Sequence, residues 1–179
     1  MIKKILLIIF ILFNLFAIVY LVTPTPVIPD LVESVKSDLP GDTEQIANVS
    51  GYFTNLSRDQ VISFYKKKYK GLFRINLNHP PEKAKEIIVN TIPSYYLEEL
   101  VLPFKESLYI NGFEWENDVF TKPEKRIKNK IFYQGQEYKS KITIRRFPVS
   151  IPARLITFFV TEAGLIFAIF VYKKSIKLK

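Results

Sequence analysis

Two long apolar runs, one near each end, constrain what this chain can fold into. The first, 5–22, has 18 residues whose only polar members are Asn14 and Tyr20, and two lysines precede it. The second, 155–172, also has 18 residues and is followed by Lys173. A helix rises about 1.5 Å per residue, so each run reaches about 27 Å, which is close to the thickness of the hydrocarbon core. We therefore predict two membrane-spanning helices.

Two other interpretations of these runs are open. A cleaved signal peptide would explain the basic start of 5–22, but the run is longer than a typical signal core and no small-residue cleavage pattern follows it. A buried core helix would explain 155–172, but a core helix in so small a domain keeps a polar side, and this run is apolar nearly all round. We favour an uncleaved anchor followed by a second span.

Two spans place both termini on one side of the membrane and the middle of the chain on the other. Lysines precede the first span and Asp30 is the first charge after it, which favours a cytoplasmic N terminus in a two-pass protein of the cell membrane. The predicted segments are a cytoplasmic N terminus (1–4), a transmembrane helix (5–22), a Pro-rich acidic linker (23–45), an extracytoplasmic α+β domain (46–150), a second transmembrane helix (155–172) and a cytoplasmic basic tail (173–179).

Glu162 is the residue least expected inside an apolar run. It lies 11 residues before Lys173, and Asn14 lies 10 residues after Lys4, so an antiparallel pair would place both side chains about 15 Å from the same membrane edge. A carboxyl inside the membrane costs about 3 kcal/mol or more and seldom faces lipid. We predict that protonated Glu162 forms a hydrogen bond with Asn14 that pairs the two helices. A pairing with another subunit, or no specific role, are the alternatives.

The middle of the chain predicts an α+β fold. We expect a small antiparallel sheet with two to three helices on one face, flanked by the N- and C-terminal transmembrane helices. Helix signals are a capping box at Ser57 and Gln60, prolines that start a helix in 79–93, and a short helix in 29–37. Strand signals lie in 48–56, in 72–77, in 94–116 with a break near Pro103, and in a hairpin around Gln134 and Gly135. Asn111 and Gly112 form a turn signal.

Composition excludes several classes of function. Cysteine is absent and His79 is the only histidine, so the chain has no disulfide, no thiolate nucleophile and no pair of histidines to hold a metal. We expect no cofactor and no metal. Six of the lysines lie at the two ends, so the net charge of +9 is not a nucleic-acid signal. His79, which stands beside two prolines, is expected to lie in a loop or at a helix start and not to act as a catalyst.

Three groups of residues in the middle of the chain are candidates for binding or chemistry. A basic loop could lie against an anionic surface through Lys122, Lys125, Arg126, Lys128 and Lys130. Trp115, between two glutamates, is expected to be exposed and could stack on a sugar. Five carboxylates could supply acid–base chemistry or bind calcium, although exposed strand residues are the simpler explanation: Glu98, Glu99, Glu106, Glu114 and Glu116.

The function favoured by this pattern is non-catalytic. We predict a double-span membrane protein of a bacterial envelope type, whose extracytoplasmic domain is a protein-interaction or assembly module, with no assigned catalytic residue. Its partners would be the lipid bilayer and a protein partner or a second copy in the membrane, and not a nucleic acid. One alternative is a domain that binds an anionic lipid, a wall polymer or a glycan. A second alternative is an envelope hydrolase that uses the glutamates.

Overall fold

The computed structural model describes residues 2–40, 42, 46–88 and 96–177. The chain forms two compact units, one made of Met1–Thr25 with Pro148–Lys179, the other of Pro26–Phe147. The predicted fold class is confirmed: the chain is α+β, with an antiparallel sheet in the middle and a long apolar helix near each end.

The first unit consists of two helices, α1 (Ile2–Val22) and α4 (Ile151–Lys177). Their most apolar 18-residue windows have mean hydropathies of 3.1 and 2.1, so both are long and apolar enough to span a bilayer. Contacts pair Asn14 with Glu162 and Leu21 with Arg154, which makes the two helices antiparallel. Helix α4 begins four residues before the predicted span, because Pro152 in its first turn needs no amide donor there.

The second unit is built on a six-stranded sheet with the order β1-β2-β8-β5-β4-β3 and a separate two-stranded sheet, β6-β7. The elements in chain order are β1 (Ser34–Lys36), β2 (Val49–Thr54), α2 (Arg58–Lys68), β3 (Ile75–His79), α3 (Pro81–Ile87), β4 (Tyr96–Leu102), β5 (Glu106–Glu114), β6 (Ile131–Tyr133), β7 (Gln136–Tyr138) and β8 (Ser140–Pro148). Two 3₁₀ helices, Trp115–Asn117 and Pro123–Asn129, connect β5 to β6.

The segment 23–45 is more than the predicted linker, because part of it belongs to the sheet. Strand β1 pairs antiparallel with β2, Ser34 opposite Thr54, and Leu31 just before it is buried. The short helix predicted for 29–37 is wrong. The prolines of this segment flank residues 30–39 and do not interrupt them, so the amides of a three-residue edge strand stay available for pairing.

The helices lie on both faces of the sheet, whereas the sequence had predicted them on one face. Helix α2, which starts at the predicted capping box of Ser57 and Gln60, packs Val61 and Tyr65 against even-numbered residues such as Leu100 and Leu108. Helix α3 packs Ala84 against Leu97, on the opposite face. The β6-β7 hairpin, turned at Gln134 and Gly135 as predicted, covers the same second face at Phe53. Alternate residues of each strand belong to these two cores. The second face is therefore covered where α3 and the β6-β7 hairpin pack on it.

Asn111 and Gly112 lie inside β5, so the predicted turn at these residues is wrong. Gly112 pairs with Tyr96 of β4, and the ring of Tyr96 occupies the space above it. A Cβ atom at position 112 would lie 2.0 Å from that ring. The glycine therefore lets the aromatic ring lie close to the backbone, which is one common reason for glycine within a strand.

Both chain connections of the second unit lie at one end of its sheet. The chain enters at Pro26 and leaves at Phe147, and Val27 lines the same cleft as Asn48 and Arg146. We call this the exit end. The opposite end, here the far end, holds Thr54, Glu114 and Ser140 and the segment 115–130 that follows Glu114. The nine residues of β8 separate the two ends by about 27 Å, at about 3.4 Å per residue.

Candidate functional site

The polar pair between α1 and α4 is formed by Asn14 and Glu162. The Nδ2 atom of Asn14 donates to Oε1 of Glu162 at 2.8 Å and also lies 3.1 Å from the carbonyl oxygen of Phe10. Both side chains are half-buried, whereas most of their neighbours on the two helices are exposed. The rings of Phe13 and Phe158 lie 6.4 Å apart beside them. The structure thus brings these two residues together, and their role within a membrane stays a prediction.

Arg154 makes a second connection between these helices that sequence reasoning missed. It is 5% exposed, its Nη1 donates to the carbonyl oxygen of Leu21 at 3.1 Å, and its Nε donates to that of Val149 at 2.8 Å. The carbonyls of the last turn of a helix lack partners within the helix, and a cation there is favourable. The signal in the sequence was an arginine directly before an apolar run.

Four of the five glutamates in 98–116 are buried strand residues and not the exposed ones that seemed simplest. Glu98, Glu99, Glu106 and Glu114 are 3–8% exposed, and only Glu116 lies at the surface. Each buried carboxylate has its own donor: Arg58 for Glu98, His79 for Glu99, Arg146 for Glu106, and the amide of Arg58 for Glu114. Strand alternation puts Glu98 and Glu99 on opposite faces. The carboxylates therefore tie elements together at three places, because Arg58 serves both Glu98 and Glu114.

No cluster of three or more histidine, cysteine or carboxylate side chains that could hold a metal ion is found within the described ranges. One grouping of titratable side chains on the second sheet face consists of His79, Glu99 and Tyr109. Nε2 of His79 lies 2.8 Å from Oε2 of Glu99, and the ring of Tyr109 stacks near the imidazole. Burial and a hydrogen bond to Glu99 raise the pKa of Tyr109 to about 12, so its phenol stays protonated at neutral pH.

The basic loop separates into residues that hold the fold and residues that reach solvent. Arg126 donates to the carbonyl oxygens of Thr121 and Glu116, at 3.2 and 2.8 Å. Lys130 pairs with Glu137 and lies 5.2 Å from the centre of the Trp115 ring. Trp115 is half-buried beneath that ammonium group and is not the exposed ring expected from the sequence. The remaining three cations of the loop are exposed: Lys122, Lys125 and Lys128.

Apolar side chains accompany these lysines, and the sequence reading missed them. Val119, Phe120 and Ile127 are 56%, 44% and 64% exposed. Thr121 brings the two parts of the segment together, because it receives hydrogen bonds from Arg126 and Asn129. The signal was an apolar residue inside a basic stretch, which charge patterning alone does not weigh.

Asp118 holds this segment in place. Its two carboxylate oxygens accept hydrogen bonds from the amide of Phe120 and from Nδ2 of Asn129, both at 2.8 Å. Burial acts to raise the pKa of Asp118, but hydrogen bonds from Thr121, Phe120 and Asn129 and the charge of Arg126 outweigh it, so the pKa is lowered. An ionised Asp118 therefore fixes both ends of the segment.

A cleft of about 190 Å³ lies at the exit end, lined by both apolar and polar residues that include Asp30, Asn48, Tyr52 and Arg146. The hydroxyl of Tyr52 donates to Oδ1 of Asp30 at 2.5 Å. This bond lowers the pKa of Asp30, against the opposing effect of burial and with help from Lys36. The acid and the phenol thus satisfy each other within the cleft.

Comparison with known protein families, with characterised proteins and with solved structures finds no match to this chain.

Proposed function

We propose that this chain is a two-pass membrane protein with both termini in the cytoplasm, whose central domain is an extracytoplasmic protein-interaction or assembly module of the cell envelope. The helices α1 and α4 have the length and composition of spans, and their hydrogen bond between Asn14 and Glu162 would be shielded from lipid by the pairing. In this proposal the bilayer holds the domain by both of its chain ends.

One observation carries the proposal: the domain groups exposed apolar side chains with exposed lysines in the segment at the far end, opposite to both connections. Val27 and Arg146 mark the exit end, and Val119, Phe120 and Ile127 lie in the segment at the other end. Exposed apolar side chains grouped among charged ones are typical of interaction sites. The connections leave that end of the domain free to meet a partner.

The arrangement of the carboxylates supports an interaction module over a hydrolase. An acid–base pair for glycoside hydrolysis needs two carboxyl groups that face one cleft. Here Glu98 and Glu99 lie on opposite sheet faces, and Glu106 is held by Arg146. Their partners are cations and amides of the fold, so the side chains link strands to one another and to the start of α2.

The second candidate function is binding of an anionic lipid, a wall polymer or a glycan. The exposure of Lys122, Lys125 and Lys128 favours it, because these ammonium groups are available to anions. The cover of Lys130 over Trp115 speaks against sugar stacking on that ring.

The proposal is tested by cross-linking in native membranes from cells that express the full chain, with a photoreactive amino acid placed in turn at Ile127 and at Ser63, an exposed position of α2. We expect a discrete protein adduct from Ile127 and none from Ser63. A cysteine reporter at Lys125, labelled by a reagent that does not cross membranes, should react in intact cells. Failure of both the adduct and the labelling would overturn the module and its topology.

A further inference from the structure

The segment 118–130 presents a row of cations. Lys122 precedes the 3₁₀ helix Pro123–Asn129, and Lys125 and Lys128 follow at intervals of three residues. A 3₁₀ helix has three residues per turn, so side chains at i and i+3 lie above one another. With a rise of about 2 Å per residue, the three lysine side chains leave the backbone on one side at intervals of about 6 Å.

The lysine side chains of this row are unpaired among the described residues, and the backbone that carries them is fixed. Within the described residues, no hydrogen bond or ion pair engages the side chains of Lys122, Lys125 or Lys128. The backbone beneath them is fixed by Asp118, which binds Asn129 across the segment. A surface that is ordered before it binds loses less conformational entropy on binding.

We propose that the surface formed by Val119, Phe120, Lys122, Lys125, Ile127 and Lys128, the far-end surface, binds an extended acidic segment of a partner protein. In an extended strand, every second side chain points to the same side, at intervals of about 6.8 Å. A segment with an acidic residue at every second position would therefore place its carboxylates in step with the lysines, and apolar residues at its two ends would meet Val119 and Phe120 before the row and Ile127 near its end. This inference rests on the proposed interaction module and names the chemistry of its partner.

The apolar members of the surface decide between a protein and the other polyanions. Val119, Phe120 and Ile127 are 44–64% exposed, and burying them requires an apolar counterpart, which a phosphate polymer lacks. A protein segment supplies both carboxylates and apolar side chains.

The test uses the full chain in neutral lipid nanodiscs and a fluorescent peptide of nine residues, in which Glu alternates with Ser between two valines at each end. The control peptide has the same composition, with its glutamates in one block. The test variant replaces Lys122, Lys125 and Lys128 by Ala. The matched control replaces Lys67, Lys68 and Lys70, three exposed lysines of and beside α2, so both variants lose the same charge. Binding is followed by fluorescence anisotropy at low and moderate salt.

We expect the alternating peptide to bind more tightly than the block peptide, and the far-end variant to weaken its binding about tenfold or more, since three ion pairs are lost. The matched control should change it less than about twofold, and Ile127→Ser should weaken it without any change of charge. Higher salt should weaken binding to the wild type more than to the far-end variant.

Equal weakening in both lysine variants, or equal binding of the two peptides, would show general attraction of polyanions and overturn the inference. Tighter binding of polyphosphate, or of vesicles that contain phosphatidylglycerol, with no effect of Ile127→Ser, would replace the protein partner by a polymer or a lipid. If instead photo-cross-linking finds a protein partner at a different surface, the module stands and only this surface fails.

Discussion

Arg146 donates two hydrogen bonds to a single carboxylate oxygen of Glu106, from Nε at 2.8 Å and from Nη2 at 2.6 Å. The side chain of Glu106 is fully buried, whereas that of Arg146 keeps 29% of its surface exposed. The pair joins β5 to β8, and the amide of Arg146 donates to Asn48 beside β2. It therefore joins three parts of the sheet at the exit end.

Replacing Arg146 by Leu should destabilise the domain by about 3 kcal/mol or more, because it leaves the buried carboxylate of Glu106 without a counter-charge. The double variant Arg146→Leu with Glu106→Leu should recover much of this loss, since the uncompensated charge is then gone. Urea unfolding of the wild type, the two single variants Arg146→Leu and Glu106→Leu, and the double variant measures the coupling between the two residues. A double variant no more stable than Arg146→Leu alone would contradict this account.

Removing the amide of Asn14 or the carboxyl of Glu162 should weaken the pairing of α1 with α4 by about 0.6–2 kcal/mol, the usual range for hydrogen bonds between helices in membranes. The chain has no native cysteine, so the disulfide yield between cysteines at Phe13 and Phe158 in membranes reports the pairing. Asn14→Leu and Glu162→Leu should lower the yield, and Glu162→Gln should retain it. Thr161→Val is the matched control, because that hydroxyl bonds within its own helix.

Gly112→Ala should destabilise the domain by about 1–3 kcal/mol, the usual range for overpacking, because the new methyl group would overlap the ring of Tyr96. Combining it with Tyr96→Leu should relieve the clash, so the effects of the two substitutions should not add. Gly164→Ala in α4 provides the control, as a Cβ there meets open space. Thermal unfolding separates the cases, and additive losses would mean that the ring does not cause the effect.

Asp118 should make the far-end surface sensitive to acid. Its pKa is lower in the folded chain than its ordinary value of about 3.9, so ionised Asp118 stabilises the fold. This contribution is fully present above pH 3.9 and is lost as the pH falls through the lowered folded pKa. The stability advantage of the wild type over Asp118→Asn should therefore shrink on acidification. Glu124→Gln, an exposed change in the same segment, should show no such trend.

Local sequence patterns were sufficient wherever one segment decides its own structure. The two apolar helices, the capping box of Ser57 and Gln60, and the turn at Gln134 and Gly135 depend on residues within a few positions of one another. Counting residues also predicted that Asn14 and Glu162 lie at the same level, because an antiparallel helix pair converts residue number into position along one axis.

Only the tertiary structure decided what depends on distant neighbours. Glu106 can be buried because Arg146, 40 positions away, neutralises it. Position 112 of β5 holds a glycine because the ring of Tyr96 occupies the space that a side chain would need. The exposed row of Lys122, Lys125 and Lys128 likewise required the 3₁₀ helix that Asp118 fixes. Sequence periodicity shows which residues can share a face, whereas packing between strands decides which face is covered and which charges stay free.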